Sequence, residues 1–583
     1  MKELHSTYQL GEIIPNIATF LKRNATNFSD KYVYKEKDAN GIYRGIIWEH
    51  FYNDIKKITG NLKQLGFKKG DKMILFSSNC LEMLELELAI MACGGIAVPI
   101  FSHFKQVTAQ LLINHSNATW MAVGGQEQMD NIGGELTQIK SIFHFDTVDD
   151  NRYKNLIPFS YLQKTTPQND ESSLNETIPP DTIGLNMYTS GTMGTPKCVQ
   201  LTHKNILSQQ AALDIIWDVD ENDRFLAYLP WHHSFGGIFE LFTILYSGAT
   251  YYLESSFGKD VDSIFENWKL VQPTIFFSVP KVYQALYLKT LASKEAEDSF
   301  FNSGLKFIFT AAASLPEKLS REFQKRDIPV IEGWGLTETS PCCTVTNPNV
   351  KRATGVVGNP IPGVSVRIGD EEEIQVKGPN VMVEYYHNDE ANEDIFTKDG
   401  WYKTGDVGEI TETGIKLISR KDRIFKLSNG EKVVPTDLEK VIQLKCHYVQ
   451  HVIISGSGED YPVALIFPNN KMLKNPDYQI SPEEGCFCPR NLNELGKCLQ
   501  GCLHDANCDI KQKFSKIKLA AIIDSELSLE DQTLTPSMKV APKNVLEKYK
   551  DHLVNMYGEN VPTEEEVYVV KLDVKNKIAR ANV

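Results

Sequence analysis

The chain has 583 residues, 42% hydrophobic and 23% charged, a length for several domains' worth of core and a composition that excludes a disordered chain. Its 61 basic and 75 acidic side chains leave a formal charge of −14, and with no basic run long enough to reverse that sign, nucleic acid is excluded as an expected partner. The opening MKELHSTYQLGEII lacks the apolar core of a secretion signal, and the longest apolar run, Ala89 to Phe101, is too short to span a bilayer. With eleven cysteines read as reduced thiols, a soluble, cytoplasmic protein is expected, with peripheral membrane contact left open.

In chain order, Ile47, Phe51, Ile55, Ile58, Leu62 and Leu65 fall at helical spacing, and the KKGDK turn then leads into an apolar strand from Met73 to Phe76. A second helix, from about Cys80 to Cys93, returns through Gly94 and Gly95 to a strand at Ile96 to Ile100. This alternation predicts an α/β fold, its sheets of substantial parallel character and covered by helices. Residues 163 to 181 are polar and proline-bearing, as befits a surface connector.

YTSGTMGTPKCVQLTH follows, residues 188 to 203. Ile183, Leu185 and Met187 ahead of it, and Val199 and Leu201 behind it, have strand period, so the loop joins two strands. Gly191 and Gly194 let backbone N–H groups turn toward an anion, Thr189, Ser190, Thr192 and Thr195 add hydroxyls, and Lys197 adds positive charge. That lining suits the β- and γ-phosphates of ATP. A Walker loop is disfavoured because a proline precedes the lysine and a strand, not a helix, follows. The plainer alternative is a Gly/Ser/Thr hairpin.

LPWHHSFGG, residues 229 to 237, sets two histidines at a strand end, either as packing residues or as part of a site. Phe307 to Thr310 is an apolar strand running into AAAS, residues 311 to 314, and a helix begins near Pro316. The strand Ile328 to Glu332 delivers Gly333, Trp334, Gly335, Thr337 and Glu338 in GWGLTETSP, at the kind of strand end where open α/β sheets keep ligands. Trp334 can cover an aromatic base, while Thr337 and Glu338 offer the hard oxygens that a phosphate-bound magnesium prefers. A capped turn would use the same residues. Residues 351 to 419 shift to glycine, proline and short alternating runs, predicting small strands in a barrel-like subdomain. Within them GWYKTGDVGEI holds Asp406 between two glycines, where it could accept the hydroxyls of a ribose or simply close a β-turn. A boundary is expected in the charged turn SRKDRIFKLSNGE, and beyond it a helix at Val545 to Tyr557 and a strand at Val567 to Leu572.

Together YTSGTMGTPK, GWGLTETSP, GWYKTGDVGEI, SRKDRIFKLSNGE and LTPSMKV, in this order and over nearly the whole chain, resemble the acyl-adenylate-forming enzymes, most of all the long-chain fatty acid–CoA ligases. The resemblance implies a large N-terminal domain of helix-covered sheets plus a small β-barrel, residues 1–420, and a mobile C-terminal α+β lid, residues 421–583. It implies ATP, magnesium and coenzyme A, and a fatty acid converted to acyl-AMP and then to its thioester. Residue by residue, Ser190, Gly191, Thr192 and Lys197 belong to the phosphate loop, Trp334 to the adenine wall and Glu338 to magnesium. Thr189 is a second candidate magnesium ligand. Asp406 and Arg420 would hold the ribose, Asp422 would be the lid pivot, the turn near Gly430 would face the pantetheine channel, and His233 would lie near the carboxylate. Lys539 matches the lid lysine of the first step, with Lys577 in KNKIARAN as its competitor.

Two departures stand out. Ala541 and Pro542 follow Lys539 where the family usually has basic residues, and Cys486, Cys488, Cys498, Cys502 and Cys508 form a cluster foreign to it. Reduced thiols are the expected reading of that cluster, with a zinc or redox site as the lesser alternative. Three functions follow in order: a long-chain acyl-CoA ligase, with medium-chain or aromatic acids as substrate variants; an acyl-AMP ligase that loads a carrier protein; and a catalytically silent binder.

Overall fold

The computed structural model describes residues 2–572 apart from 135, 151, 168–173, 190–196, 302–303, 312–314, 351–352, 354, 474–488, 529, 536–538 and 559–566. The described chain divides into two compact units, one taking most of the sequence as far as Lys416, the other running from Leu417 onward and including Gly405–Gly408.

In the first unit, Lys72–Phe76 and Ile96–Ile100 pair in parallel, Met73 opposite Ala97, and Trp120–Val123 joins the other side of Lys72–Phe76. A parallel pair needs a crossover, and the helix Leu81–Ala92 supplies it. Its sequence LEMLELELAIMA buries every residue from Met83 to Ala92, Glu85 and Glu87 included, so it is a core helix and not an amphipathic one. The sheet has seven strands, and its antiparallel edge is Ile183–Thr189 against Lys197–Thr202. The alternation read around the phosphate loop is real, yet the polar positions between are covered as well: Asn186 and Gln200 are buried beside Leu185, Met187, Val199 and Leu201.

A nine-stranded sheet carries the next motifs. Tyr32–Lys37, Thr250–Leu253, Arg224–Ala227, Ile275–Ser278, Phe307–Thr310 and Val330–Trp334 lie side by side in parallel. Antiparallel strands close both edges. Arg224–Ala227 therefore delivers the two-histidine loop, and Val330–Trp334 delivers the Thr-Glu turn, at the same end of one parallel sheet. Of the small strands expected after residue 351, Asn359–Pro360 joins the edge of the nine-stranded sheet and the others belong to a five-stranded sheet, which Glu3–His5 joins by pairing antiparallel with Ser365–Ile368.

The second unit is α+β. Val449–Ser455, Val463–Pro468, Leu519–Ile523 and Val567–Lys571 form a mixed four-stranded sheet. On one face, helices Pro435–Lys445 and Leu492–Asp509 share a core containing Ile442, Ile454, Ile466, Leu499 and Ile522. On the other, Val545 and Tyr549 pack with Leu465, Phe467 and Ile523. The single helix expected from Val545 to Tyr557 is two, Pro542–Lys548 and Lys550–Tyr557. Tyr549 leaves helical geometry between them, at φ −104° and ψ 23°, as its ring packs on Phe467 and its hydroxyl meets Ser525. Among the described residues, no helix is long and apolar enough to cross a membrane.

Candidate active site

The antiparallel edge pair brings Thr189 and Lys197 opposite each other at the mouth of the Gly/Ser/Thr loop. The loop's own Ser190, Gly191, Thr192, Gly194 and Thr195 lie outside the described residues. Lys197 points its ammonium over the Tyr385 ring, 4.7 Å from the centroid, an arrangement that attracts a cation to an aromatic face.

Glu338 sits in the short turn Thr337–Thr339 after the strand Val330–Trp334 and is 8% exposed. Its carboxylate Oε1 accepts a 2.6 Å hydrogen bond from the Tyr385 hydroxyl, and its carbonyl accepts one from Met382 N–H. Gly335 is required here, because a Cβ would come within 1.7 Å of the Pro341 carbonyl oxygen. Trp334 is largely buried, with its backbone paired to Thr344. The Thr337 and Ser234 hydroxyls lie 2.9 Å apart and tie the Thr-Glu turn to the histidine loop. The described donors fit a nucleotide-bound magnesium, since Thr189 and Glu338 present hard oxygens and such an ion keeps most of its coordination from phosphate and water. Among the described residues no group of three or more His, Cys, Asp or Glu could hold a metal by itself. Cys486 and Cys488 lie outside them, while Cys498 and Cys502 fall one turn apart on Leu492–Asp509.

In the histidine loop, His233 Nδ1 accepts a hydrogen bond from Phe235 N–H, so the neutral ring carries its proton on Nε2. Burial brings His232 down to about 3, with repulsion from His233 and His103 adding to it, and it remains neutral at physiological pH. The His232 ring leans on Phe101 at 4.8 Å. Asn79 secures the loop, its amide donating to the Leu229 carbonyl and its Oδ1 accepting from Trp231 N–H.

A second group of expected residues comes together within the second unit. Arg420 donates to the Asp406 carboxylate at 3.1 Å, and its Nε lies 3.9 Å from Asp422. Gly405 adopts a left-handed φ of 70°, and a Cβ there would stand 3.2 Å from the Arg420 guanidinium. Lys539 is exposed as a residue, yet desolvation of its ammonium dominates and lowers its pKa, while Asp406 pulls it back up and Arg420 adds a smaller lowering. The Lys539 carbonyl accepts from Thr535 N–H, and Lys539 N–H donates to the Thr535 hydroxyl. Lys577 lies outside the described residues.

Tyr385 escaped the reading of the sequence. It stands in VEYYHN with no phosphate-type signature, and only its contacts with residues 47 and 188 positions away give it meaning.

A family model described as AMP-binding enzyme matches residues 21–386, and one described as AMP-binding enzyme C-terminal domain matches residues 422–561. The chain is 26% identical to "Fatty acyl-CoA synthetase A" of Dictyostelium discoideum, an alignment covering 89% of this chain and 86% of that one. It is also 26% identical to "Long chain acyl-CoA synthetase 7, peroxisomal" of Arabidopsis thaliana, over 89% of this chain and 82% of that one. Among solved structures it resembles an anthranilate CoA ligase in complex with anthranoyl-AMP, with TM-score 0.74, 20% identity, and 93% and 99% of the two chains covered. It also resembles the o-succinylbenzoate coenzyme A synthetase of Bacillus subtilis in complex with ATP and magnesium ion, with TM-score 0.71, 21% identity, and 91% and 99% covered.

Proposed function

The chain belongs to the AMP-binding enzymes, and from that premise we propose that the acid it activates is a long-chain fatty acid. It is an AMP-forming acid–CoA ligase working through an acyl-adenylate, with ATP, magnesium and coenzyme A. In the first step an acid carboxylate oxygen attacks the α-phosphorus and pyrophosphate leaves. In the second the coenzyme A thiol, giving up its proton, attacks the acyl carbon and AMP leaves. The observation that carries the long-chain reading is the likeness, across nine-tenths of the chain, to proteins named as fatty acyl and long-chain acyl-CoA synthetases.

We assign the roles as follows. Lys197 and the loop from Thr189 to Thr195 bind the β- and γ-phosphates. Glu338 and Thr189 would hold the magnesium ion, which when bound offsets phosphate charge. Asp406 accepts the ribose hydroxyls, with Arg420 fixing its carboxylate. Trp334 borders the adenine, and His233, with its proton on Nε2, faces the acid carboxylate. Lys539 stabilises the charge that builds on carboxylate and α-phosphate oxygens in adenylation, a task that desolvation strengthens. We set the functional boundary at 420/421 with Asp422 as the pivot, just past the Lys416/Leu417 limit of the compact units, a reading supported by the C-terminal family match beginning at residue 422.

The test is pyrophosphate release by the purified protein with ATP, magnesium and acids from short to long, aromatic acids included, each with and without coenzyme A. The account expects release to peak with long chains and thioester to form. Release without thioester would move the acceptor to a carrier protein, and a peak with short or aromatic acids would overturn the substrate class.

A further inference from the structure

The Tyr385 side chain is in contact with both Lys197 and Glu338 within the first unit. Its segment runs alongside the strand Lys197–Thr202 as an extra strand would: Val383 N–H donates to the Gln200 carbonyl, Gln200 N–H to the Glu384 carbonyl, and Tyr386 N–H to the Cys198 carbonyl. Asn392 clamps the residue itself, its Oδ1 accepting from Tyr385 N–H and its amide donating to the Tyr385 carbonyl, both at 2.8 Å. The ring is thus fixed on the backbone of the phosphate-loop strand, 4% exposed. From there its hydroxyl reaches Glu338 at 2.6 Å, and the Lys197 ammonium rests 4.7 Å above its centre.

We propose that Tyr385 is a positioning residue that couples the phosphate-binding lysine to the metal-binding carboxylate, so that the nucleotide and its magnesium are received as one unit. The proposal rests on the roles given above to Lys197 and Glu338. A carboxylate on a short turn would otherwise swing about its side-chain bonds, and the phenol pins one of its oxygens. The lysine over the π face draws electron density from the ring and makes the hydroxyl a stronger donor to that carboxylate. A partner holding a ligating carboxylate is typically worth ten- to a hundredfold in metal affinity or activity.

Tyr385→Phe keeps the ring and its contact with Lys197 and removes only the hydroxyl. The expected result is that half-saturating magnesium for pyrophosphate release rises about tenfold, while half-saturating ATP at excess magnesium stays within twofold. Binding of manganese, followed by its paramagnetic resonance in the presence of a non-hydrolysable ATP analogue, weakens by the same factor, and the thermal midpoint without nucleotide stays close to that of the parent. Unchanged manganese binding in a folded Tyr385→Phe protein overturns the proposal, as does a fall in the thermal midpoint with no change in metal dependence. If the parent released no pyrophosphate with any acid, the functional reading would fail, and manganese binding would still decide the role of Tyr385.

Discussion

Lys539 is where charge and chemistry meet most directly. Its ammonium is desolvated, and Asp406 keeps it from losing its proton as readily as burial alone would favour. On the proposed assignment, Lys539→Ala lowers acyl-AMP formation by on the order of a hundredfold or more, by analogy with loss of one transition-state donor. Thioester formation from supplied acyl-AMP is spared. Measuring the two half-reactions separately checks this, and equal losses in both would refute the role. A selective loss in Lys577→Ala instead would transfer the assignment to that residue. Asp406→Ala should raise half-saturating ATP, because the ribose hydroxyls lose the carboxylate that the Arg420 guanidinium orients from 3.1 Å; an unchanged ATP dependence would remove Asp406 from the ribose site. The sequence displayed these residues because phosphate and ribose recognition reuse a narrow chemistry of glycine, hydroxyl, lysine and carboxylate. It hid Tyr385, whose importance comes from neighbours distant in the chain.

At the scale of elements, the helix Leu81–Ala92 carries two carboxyls into the core. Glu85 and Glu87 are each 1% exposed, and burial raises both from an ordinary 4.5 to about 8. Glu85 keeps one partner, Gln163 at 2.9 Å, whereas Glu87 Oε2 has no partner among the described residues. In the folded chain these groups hold protons that the unfolded chain releases. Their contribution to stability is therefore complete below about pH 4.5 and is lost as pH rises toward 8. Glu87→Gln removes its share of that slope, so the thermal midpoint should fall less between pH 5 and pH 8 in the variant than in the parent; an identical fall in both would contradict the account. In the second unit Ile442 is wholly buried, and Ile442→Ala should cost about 2–5 kcal/mol through the cavity it leaves, read as a lower denaturant midpoint. A change below about 0.5 kcal/mol, the range of surface substitutions, would mean that this helix does not close the core. The alternation of helices and strands was legible because each run is long and bounded by glycine turns. The strand Glu3–His5 was not, since three residues carry no readable period and their partners lie some 360 positions away.

At the scale of the whole molecule, five short motifs in order point to an adenylate-forming enzyme, and the match of the family model over residues 21–386 agrees with them. The acid's length was not legible, because an apolar pocket takes its depth from side chains of many elements and no motif records it. The most direct test of the central claim is acid-dependent pyrophosphate release across a series of chain lengths with coenzyme A present, with the thioester measured alongside. The account predicts a maximum at long chains, with thioester and pyrophosphate formed in equal amounts. A maximum at short or aromatic acids, or pyrophosphate without thioester, would contradict it.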